Sequence, residues 1–485
     1  MIERRDLYID GQWITPDTGE VISVDEAATG EIIGTVPSGD ATDAERAILA
    51  ARRSAETWAN VPISERADVV TAIAEGLKAR DEELGRIMAQ EVGTPITLSA
   101  RVQVGLAVSV FETTAEAARE LPSEERIGHS VVLRVPAGVV GAITPWNYPL
   151  YQLAAKVGPA LAAGCPVVVK PSSVAPLATF ALAEIVDELG LPDGVFNLVS
   201  GRGALVGDLL ASHPEVDMVS LTGSTGAGVQ VARSAAGTIK KVALELGGKS
   251  AFLIAEGADM DAAMDAAIRS CFVNNGQTCA ATTRLIVPQS LLAEVEERAA
   301  AMVNAMKVGD PLDPETTLGP VASESQFRSV SKYIEIGMSE GTLIAGGPGP
   351  VDGLDRGYFV KPTVFSRLDP GATIVQEEIF GPVLSILSYE GGVDNGIAIA
   401  NDSEFGLSGS VYAADIPTAV GIARRMRTGQ VAVNGGRFNA RAPFGGFKTS
   451  GVGRELGHHG LMEYFEMLSL QFPSADDIDG FGHAV

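Results

Sequence analysis

The chain has 485 residues, 46% of them hydrophobic, and a formal net charge of −25 from 36 basic and 61 acidic side chains. That length can bury large cores and implies more than one domain, while the acidic balance and the lack of any basic run exclude nucleic acid as a partner. Three cysteines, Cys165, Cys271 and Cys279, form no CxxC or Cys-His spacing, so neither a disulfide framework nor a metal site is indicated and a reducing compartment fits.

Met1 to Asp6 carries charges with no apolar stretch behind it, so no secretory signal is read and a cytoplasmic location is expected. Residues 6 to 38 alternate short apolar and polar runs between Gly and Pro, which predicts strands and a hairpin. A capping box of Thr42 and Glu45 opens the first helix, and helices from Ser64, Asp81 and Ala100 continue to Leu121. Ser130 to Val135 and Met467 to Phe472 read as lone strands with no neighbour in sequence to pair with. Val135 to Ala155 is 21 residues without a charge, the length of a membrane span. Pro136, Pro145 and Pro149 would break such a helix, and Asn147 and Gln152 would lie in lipid, so a buried core segment is expected and no membrane contact.

Residues 137 to 247 carry a β-α-β rhythm. Pro166 to Lys170 is an unalternating apolar run, as expected of a strand buried on both faces. A helix follows from about Ala175, with Pro176 in its first turn, to Gly190. Val195 to Ser200, Val216 to Leu221 and Lys241 to Leu246 are strands, and Gly203 to Ala211 and Gly226 to Ala236 are helices. Such alternation predicts a parallel sheet covered by helices. Residues 248 to about 450 begin a second series, with strands at Ser250 to Ile254, Leu285 to Val287, Val383 to Leu387, Ser410 to Tyr412 and Val431 to Val433. The acidic tail after Phe472 is expected to be partly disordered.

Three stretches carry chemistry. Asn274 to Arg284 is a polar turn that presents Cys279 among small neighbours, Gly276, Thr278 and Ala280, as a nucleophile requires. An inert core thiol is the competing reading. Leu244-Glu245-Leu246-Gly247-Gly248-Lys249 sets a carboxylate between two leucines, where desolvation raises its pKa toward that of a useful base; a core carboxylate paired to Lys249 is the alternative. Ile143-Thr144-Pro145-Trp146-Asn147-Tyr148-Pro149 holds an amide between two prolines, suited to a fixed hydrogen-bond donor or merely to a turn.

With Glu377 to Pro382 and Pro443 to Lys448, these stretches resemble the NAD(P)-dependent aldehyde dehydrogenase superfamily, in the same order and over essentially the whole chain. The resemblance implies two Rossmann-like α/β domains, one binding the dinucleotide (1–121 and 137–247) and one catalytic (248–450). It also implies a small β element (122–136 and 464–485) that assembles a homodimer or homotetramer. It implies Cys279 as nucleophile, Glu245 as general base and Asn147 as oxyanion donor. Glu245 argues against the acylating branch, which passes its acyl group to coenzyme A.

For the cofactor, NAD or NADP, the resemblance implies contacts from Ile143, Thr144, Pro145, Trp146, Lys170, Ser173, Gly203, Gly207, Gly223, Ser224, Leu246, Gly247, Glu378 and Phe380. Gly223 to Gly228 follows a strand and opens a helix, so its free N–H groups could receive a pyrophosphate, though a Gly-rich turn alone is a weak signal. Glu378 could instead be a helix-start carboxylate. Ser173 stands where NAD-selective relatives carry Glu, so use of both coenzymes is expected.

The aldehyde pocket is assigned to Tyr148, Gln152, Ala155, Thr278, Arg437, Phe438 and Phe444. Ala155 replaces a large aromatic and widens it, and Arg437 or Arg441 could pair with a distal carboxylate, or be plain surface arginines. A catalytically weak structural protein and a thiol esterase on the same scaffold are the alternatives to aldehyde oxidation.

Overall fold

The computed structural model describes residues 1–122 and 124–479. Its first large sheet has five parallel strands in the order Lys241–Glu245, Met218–Thr222, Val140–Ile143, Val167–Lys170, Phe196–Leu198. Leu7–Ile9 and Gln12–Ile14 extend it antiparallel at one edge and Gly451–Val452 at the other. Numbered along the chain, the parallel strands run 3-2-1-4-5 in reverse, the doubly wound order. Its switch point lies beyond the carboxyl ends of Val140–Ile143 and Met218–Thr222. Val167–Lys170 is buried at all four positions because helices cover both faces of the sheet.

A second sheet runs Thr342–Ala345, Thr363–Ser366, Val383–Tyr389, Arg284–Pro288, Ala251–Ile254, Ser408–Tyr412, Gln430–Val433, parallel except for the first pair. It too is sandwiched between two apolar clusters. The two strands expected to stand alone pair with each other. Phe465–Gln471 lies antiparallel to Ser130–Pro136, and Glu124–Ile127 completes a small three-stranded sheet.

The uncharged run ends in the helix Pro149–Ala163, buried on every face, with Pro149 at its first position and Gly164 closing it at φ 95. Among the described residues no helix is long and apolar enough to cross a membrane.

Several local expectations are corrected. The first helix, Ala41–Ala59, is capped by Asp40 and Asp43, which exchange hydrogen bonds with each other's backbone N–H groups, and not by Thr42 and Glu45. A carboxylate in the cap position accepts more strongly than a hydroxyl one turn position later. Pro176 precedes the helix Leu177–Leu189 and does not lie within its first turn. Gly203–Gly207 is a π turn running into the short helix Asp208–Ser212. The tail forms a short helix, Asp476–Asp479, and the expectation of disorder beyond it falls outside the described residues.

Candidate active site

Cys279 lies between the helix Met260–Phe272 and the strand Arg284–Pro288, on a loop opened by a tight turn, Val273–Gly276. Asn274 and Asn275 adopt left-handed φ of 52 and 59, a conformation Asn tolerates better than other side chains. At Gly276, φ is +73 and a Cβ would stand 2.2 Å from the carbonyl carbon of Gly381, so glycine is required. Buried amides then fasten the loop. Asn275 Nδ2 donates to the carbonyls of Gly93 and Pro320 at 2.8 Å, and its Oδ1 accepts from Gly319 N–H at 2.7 Å. Gln277 Oε1 accepts from Ala322 N–H at 2.8 Å. Both amides tie the loop to the same two stretches, Val92 and Gly93 on one side and Gly319 to Ala322 on the other, which leaves Cys279 little freedom of position.

Asn147 follows the switch-point strand and is 4% exposed. Its Nδ2 donates to the carbonyl of Gln277 at 3.0 Å, two residues from the thiol. An amide nitrogen carries two hydrogens, so one remains for another acceptor. The Asn147 carbonyl accepts from Asn274 Nδ2 at 3.0 Å and Gln103 Nε2 at 2.8 Å. Gln103 sits in a π turn, Ser99–Val104, inside an otherwise α-helical stretch, a distortion common at functional sites.

Two cavities meet at Cys279. One, of about 210 Å³, is lined by Pro145, Trp146, Asn147, Gly223, Ser224, Leu246, Gly247, Glu378 and Phe380, with Thr222 and Gln326. Gly247 makes room for the carboxyl of Glu378, since a Cβ there would fall 2.2 Å from Oε2; Oε1 accepts from Gly248 N–H at 2.8 Å. Glu378 thus follows the short helix Thr373–Gln376 and is not a helix-start carboxylate. A neighbouring cavity of about 280 Å³ holds Ile143, Gly203 and Gly207, and the stem of Lys170 lies against Gly207. Thr144 is buried with its hydroxyl unpartnered, and Ser173 is half-buried beside this region.

Together these walls offer what a dinucleotide needs: the N-terminus of the helix Thr225–Ala235 at the switch point, an apolar slot beside Trp146 and Phe380, and the half-buried carboxylate of Glu378. Ser224 caps that helix through Ala227 N–H at 3.3 Å.

The second cavity at Cys279, about 160 Å³, is lined by Tyr148, Gln152, Thr278, Phe438 and Phe444, with Leu106, Tyr151, Ala280 and Gln430. Two expected members are elsewhere. Ala155 is buried in the helix Pro149–Ala163 and Arg437 is exposed, both outside the lining. Gln152 faces the lumen, and Ala155 shares that helix face about one turn further along the axis, beyond the lining.

The sequence profile of the aldehyde dehydrogenase family matches residues 13–470. The chain is 45% identical over 469 residues to a 3-succinoylsemialdehyde-pyridine dehydrogenase from a Pseudomonas species, covering 96% of this chain and 98% of that one. The chain belongs to the aldehyde dehydrogenase family. Geranial dehydrogenase from Castellaniella defragrans is 44% identical over the same shares of the two chains. A solved aldehyde dehydrogenase C from Pseudomonas syringae, a cysteine-to-alanine variant with NAD+ and octanal, superposes with a TM-score of 0.95 at 42% identity, covering 99% of this chain and 98% of that one.

In this aldehyde dehydrogenase burial disfavours the charged forms of the acids at the site. Burial, then the charges of Glu378 and Glu245, push the Cys279 thiol up to about 12. Glu378 is pushed up to about 7 by burial. Glu245 lies well above its usual range, from burial and then from Glu455, against the pull of Lys156. Neither of its oxygens has a hydrogen-bond partner, and it does not pair with Lys249, whose amine is also unpartnered. Its carboxyl packs close to Gly445, outside the lining of either cavity.

The sequence reading missed Lys156 and Glu455, a buried pair at 2.5 Å whose lysine also donates to Thr222 Oγ1 at 2.7 Å. The partners are 299 residues apart, and the only local signal was a lone Lys in an apolar helix. Tyr151 was findable, three residues after Tyr148 on the same helix face. Leu106, Gln326 and Gln430 come from distant elements with no motif around them.

Proposed function

We propose that the protein oxidises an aldehyde to its carboxylate with NAD(P)+ and water, through a thioester on Cys279. Support comes chiefly from the half-buried thiol standing where two cavities meet, beside an amide with a hydrogen to spare. The Cys279 thiol gives its proton to water, Sγ adds to the carbonyl carbon, and the π pair of the carbonyl moves onto the oxygen as negative charge. Asn147 Nδ2, already oriented by Gln277, and the backbone N–H of Cys279 would hold that charge as it forms.

When bound, nicotinamide would supply the hydride acceptor. Trp146, Phe380, Gly223, Ser224, Leu246 and Gly247 would hold it with Pro145 and Glu378. Ile143, Thr144, Lys170, Ser173, Gly203 and Gly207 would hold the adenosine half. The thioester then needs a base. Burial beside Gly445 raises the pKa of the Glu245 carboxyl and disfavours the ionised form a base needs, so in this role its carboxyl would turn from Gly445 toward Cys279, where water solvates the carboxylate. Hydrolysis releases the acid and returns the thiol.

Cys279→Ala should abolish formation of reduced coenzyme yet leave coenzyme binding by fluorescence titration unchanged. Glu245→Gln should show a rapid burst of reduced coenzyme followed by slow turnover. Turnover persisting in the first variant removes the nucleophile, and a missing burst in the second removes the deacylating base.

A further inference from the structure

The substrate cavity carries a chemical preference of its own. Tyr148, Tyr151, Phe438 and Phe444 stand edge to face in sequence, with centroids 6.2, 6.2 and 6.3 Å apart and rings at 76°, 77° and 70°. Leu106 and Ala280 complete an apolar wall, and the Tyr148 hydroxyl is already engaged by Thr278 Oγ1 at 2.8 Å. Gln152 Oε1 is likewise taken by the Thr222 hydroxyl at 3.0 Å. Phe438, 46% exposed, forms the mouth.

No charged side chain lines this cavity among the described residues. Of the charges around it, Arg437 is exposed outside the lining and the others are engaged or neutralised. Arg441 pairs with Glu116 at 2.7 Å, Lys156 pairs with Glu455, and burial holds Glu245 toward its neutral form. A substrate with a distal carboxylate would lose its hydration without gaining a cation, and a substrate with a distal ammonium would gain no carboxylate. The volume, about 160 Å³, matches an apolar cavity of ~150 Å³ that holds one benzene.

We propose that this aromatic tunnel selects neutral, apolar aldehydes bearing one aryl ring or an alkyl chain of about six carbons, with Phe438 as a specificity-determining residue. The inference rests on the aldehyde oxidation proposed above. It also withdraws the expectation of a semialdehyde preference built on Arg437 or Arg441.

The test measures kcat/KM for pairs matched in shape. Hexanal should exceed ethanal by on the order of a hundredfold, from the added buried methylenes. Pentanal should exceed succinic semialdehyde, and 3,3-dimethylbutanal should exceed its cationic isostere trimethylammonioacetaldehyde, each at least tenfold. Phe438→Ser should shrink the hexanal-to-ethanal ratio. A preference for the anion would hand the pocket to Arg437, a preference for the cation would make the rings a cation–π cage, and a flat series would remove the selection altogether; each overturns the proposal. A second measurement needs no turnover. Hexan-1-ol should protect Cys279 from iodoacetamide at concentrations where 4-hydroxybutanoate does not, and equal protection overturns the tunnel's preference. If no aldehyde in the series reduces coenzyme while hexan-1-ol still protects, aldehyde oxidation fails and the binding preference stands.

Discussion

Gln103→Leu separates the positioning of the oxyanion donor from its identity. The Gln103 amide donates to the carbonyl of Asn147 at 2.8 Å, to Thr94 Oγ1 at 3.1 Å and, more weakly, to Asn274 Oδ1 at 3.4 Å. Leucine has nearly the same volume and fills the buried site, so packing survives. The acceptors are not all abandoned. Asn147 O keeps Asn274 Nδ2, and Asn274 Oδ1 keeps the Thr94 hydroxyl. The change also removes Gln103 Oε1, which is buried without a partner. About one hydrogen bond is lost in net, so the stability cost is about 1 kcal/mol. Asn147, however, loses one of the two clamps on its backbone. A displacement of about 1 Å of a group aimed at a developing charge costs up to ~100-fold in rate. Steady-state kinetics on one aldehyde should therefore show kcat falling roughly 10- to 100-fold, with KM and coenzyme affinity little changed and a Tm lower by only a few degrees. Gln103→Met, which keeps the length of the side chain but has no donor, should fall as far. A kcat within threefold of the parent in both folded variants would refute the role, as would a proportionate rise in KM.

Three further outcomes are expected. Glu378→Gln removes the largest like charge acting on Cys279, so iodoacetamide should alkylate the resting thiol severalfold faster at pH 8, where Glu378 is ionised; parent and variant should converge at pH 6, where it is protonated, and equal rates at both pH values contradict this. Glu91, fully buried, accepts from the N–H groups of Leu177 and Ala178 and is pushed from 4.5 up to about 8 by burial. Because the folded state holds this proton more tightly than the unfolded one, stability falls as pH rises from 4.5 to 8, by on the order of 4–5 kcal/mol in total. Glu91→Gln should flatten that slope in chemical denaturation, and an unchanged slope excludes Glu91 as its source. Ser173→Glu should lower kcat/KM for NADP+ relative to NAD+ by roughly 1–3 kcal/mol, through a carboxylate set against the 2′-phosphate. A parent that rejects NADP+ more than about a thousandfold would place that guard elsewhere.

The sequence by itself determined the strands and the order of the motifs. Val167–Lys170 reads as a strand buried on both faces, and Pro and Gly punctuation bracketed the helix Leu177–Leu189, whereas in the uncharged run Pro149 reads as a breaker and only the structure shows it opening the helix Pro149–Ala163. It also singled out Cys279, Glu245 and Asn147, because each is a reactive side chain in a setting that local propensity does not ask for. The loop clamps, the buried pair Lys156–Glu455 and the tunnel wall were decided only by the tertiary structure. Asn275 meets Gly93 across 182 residues and Lys156 meets Glu455 across 299, separations over which no periodicity carries information. The same limit explains why Ala155 and Arg437 fell outside the cavity. A residue's place along a helix or loop fixes its neighbours and its face, as Gln152 and Ala155 share one, while how far along that face a lumen reaches depends on what packs against it.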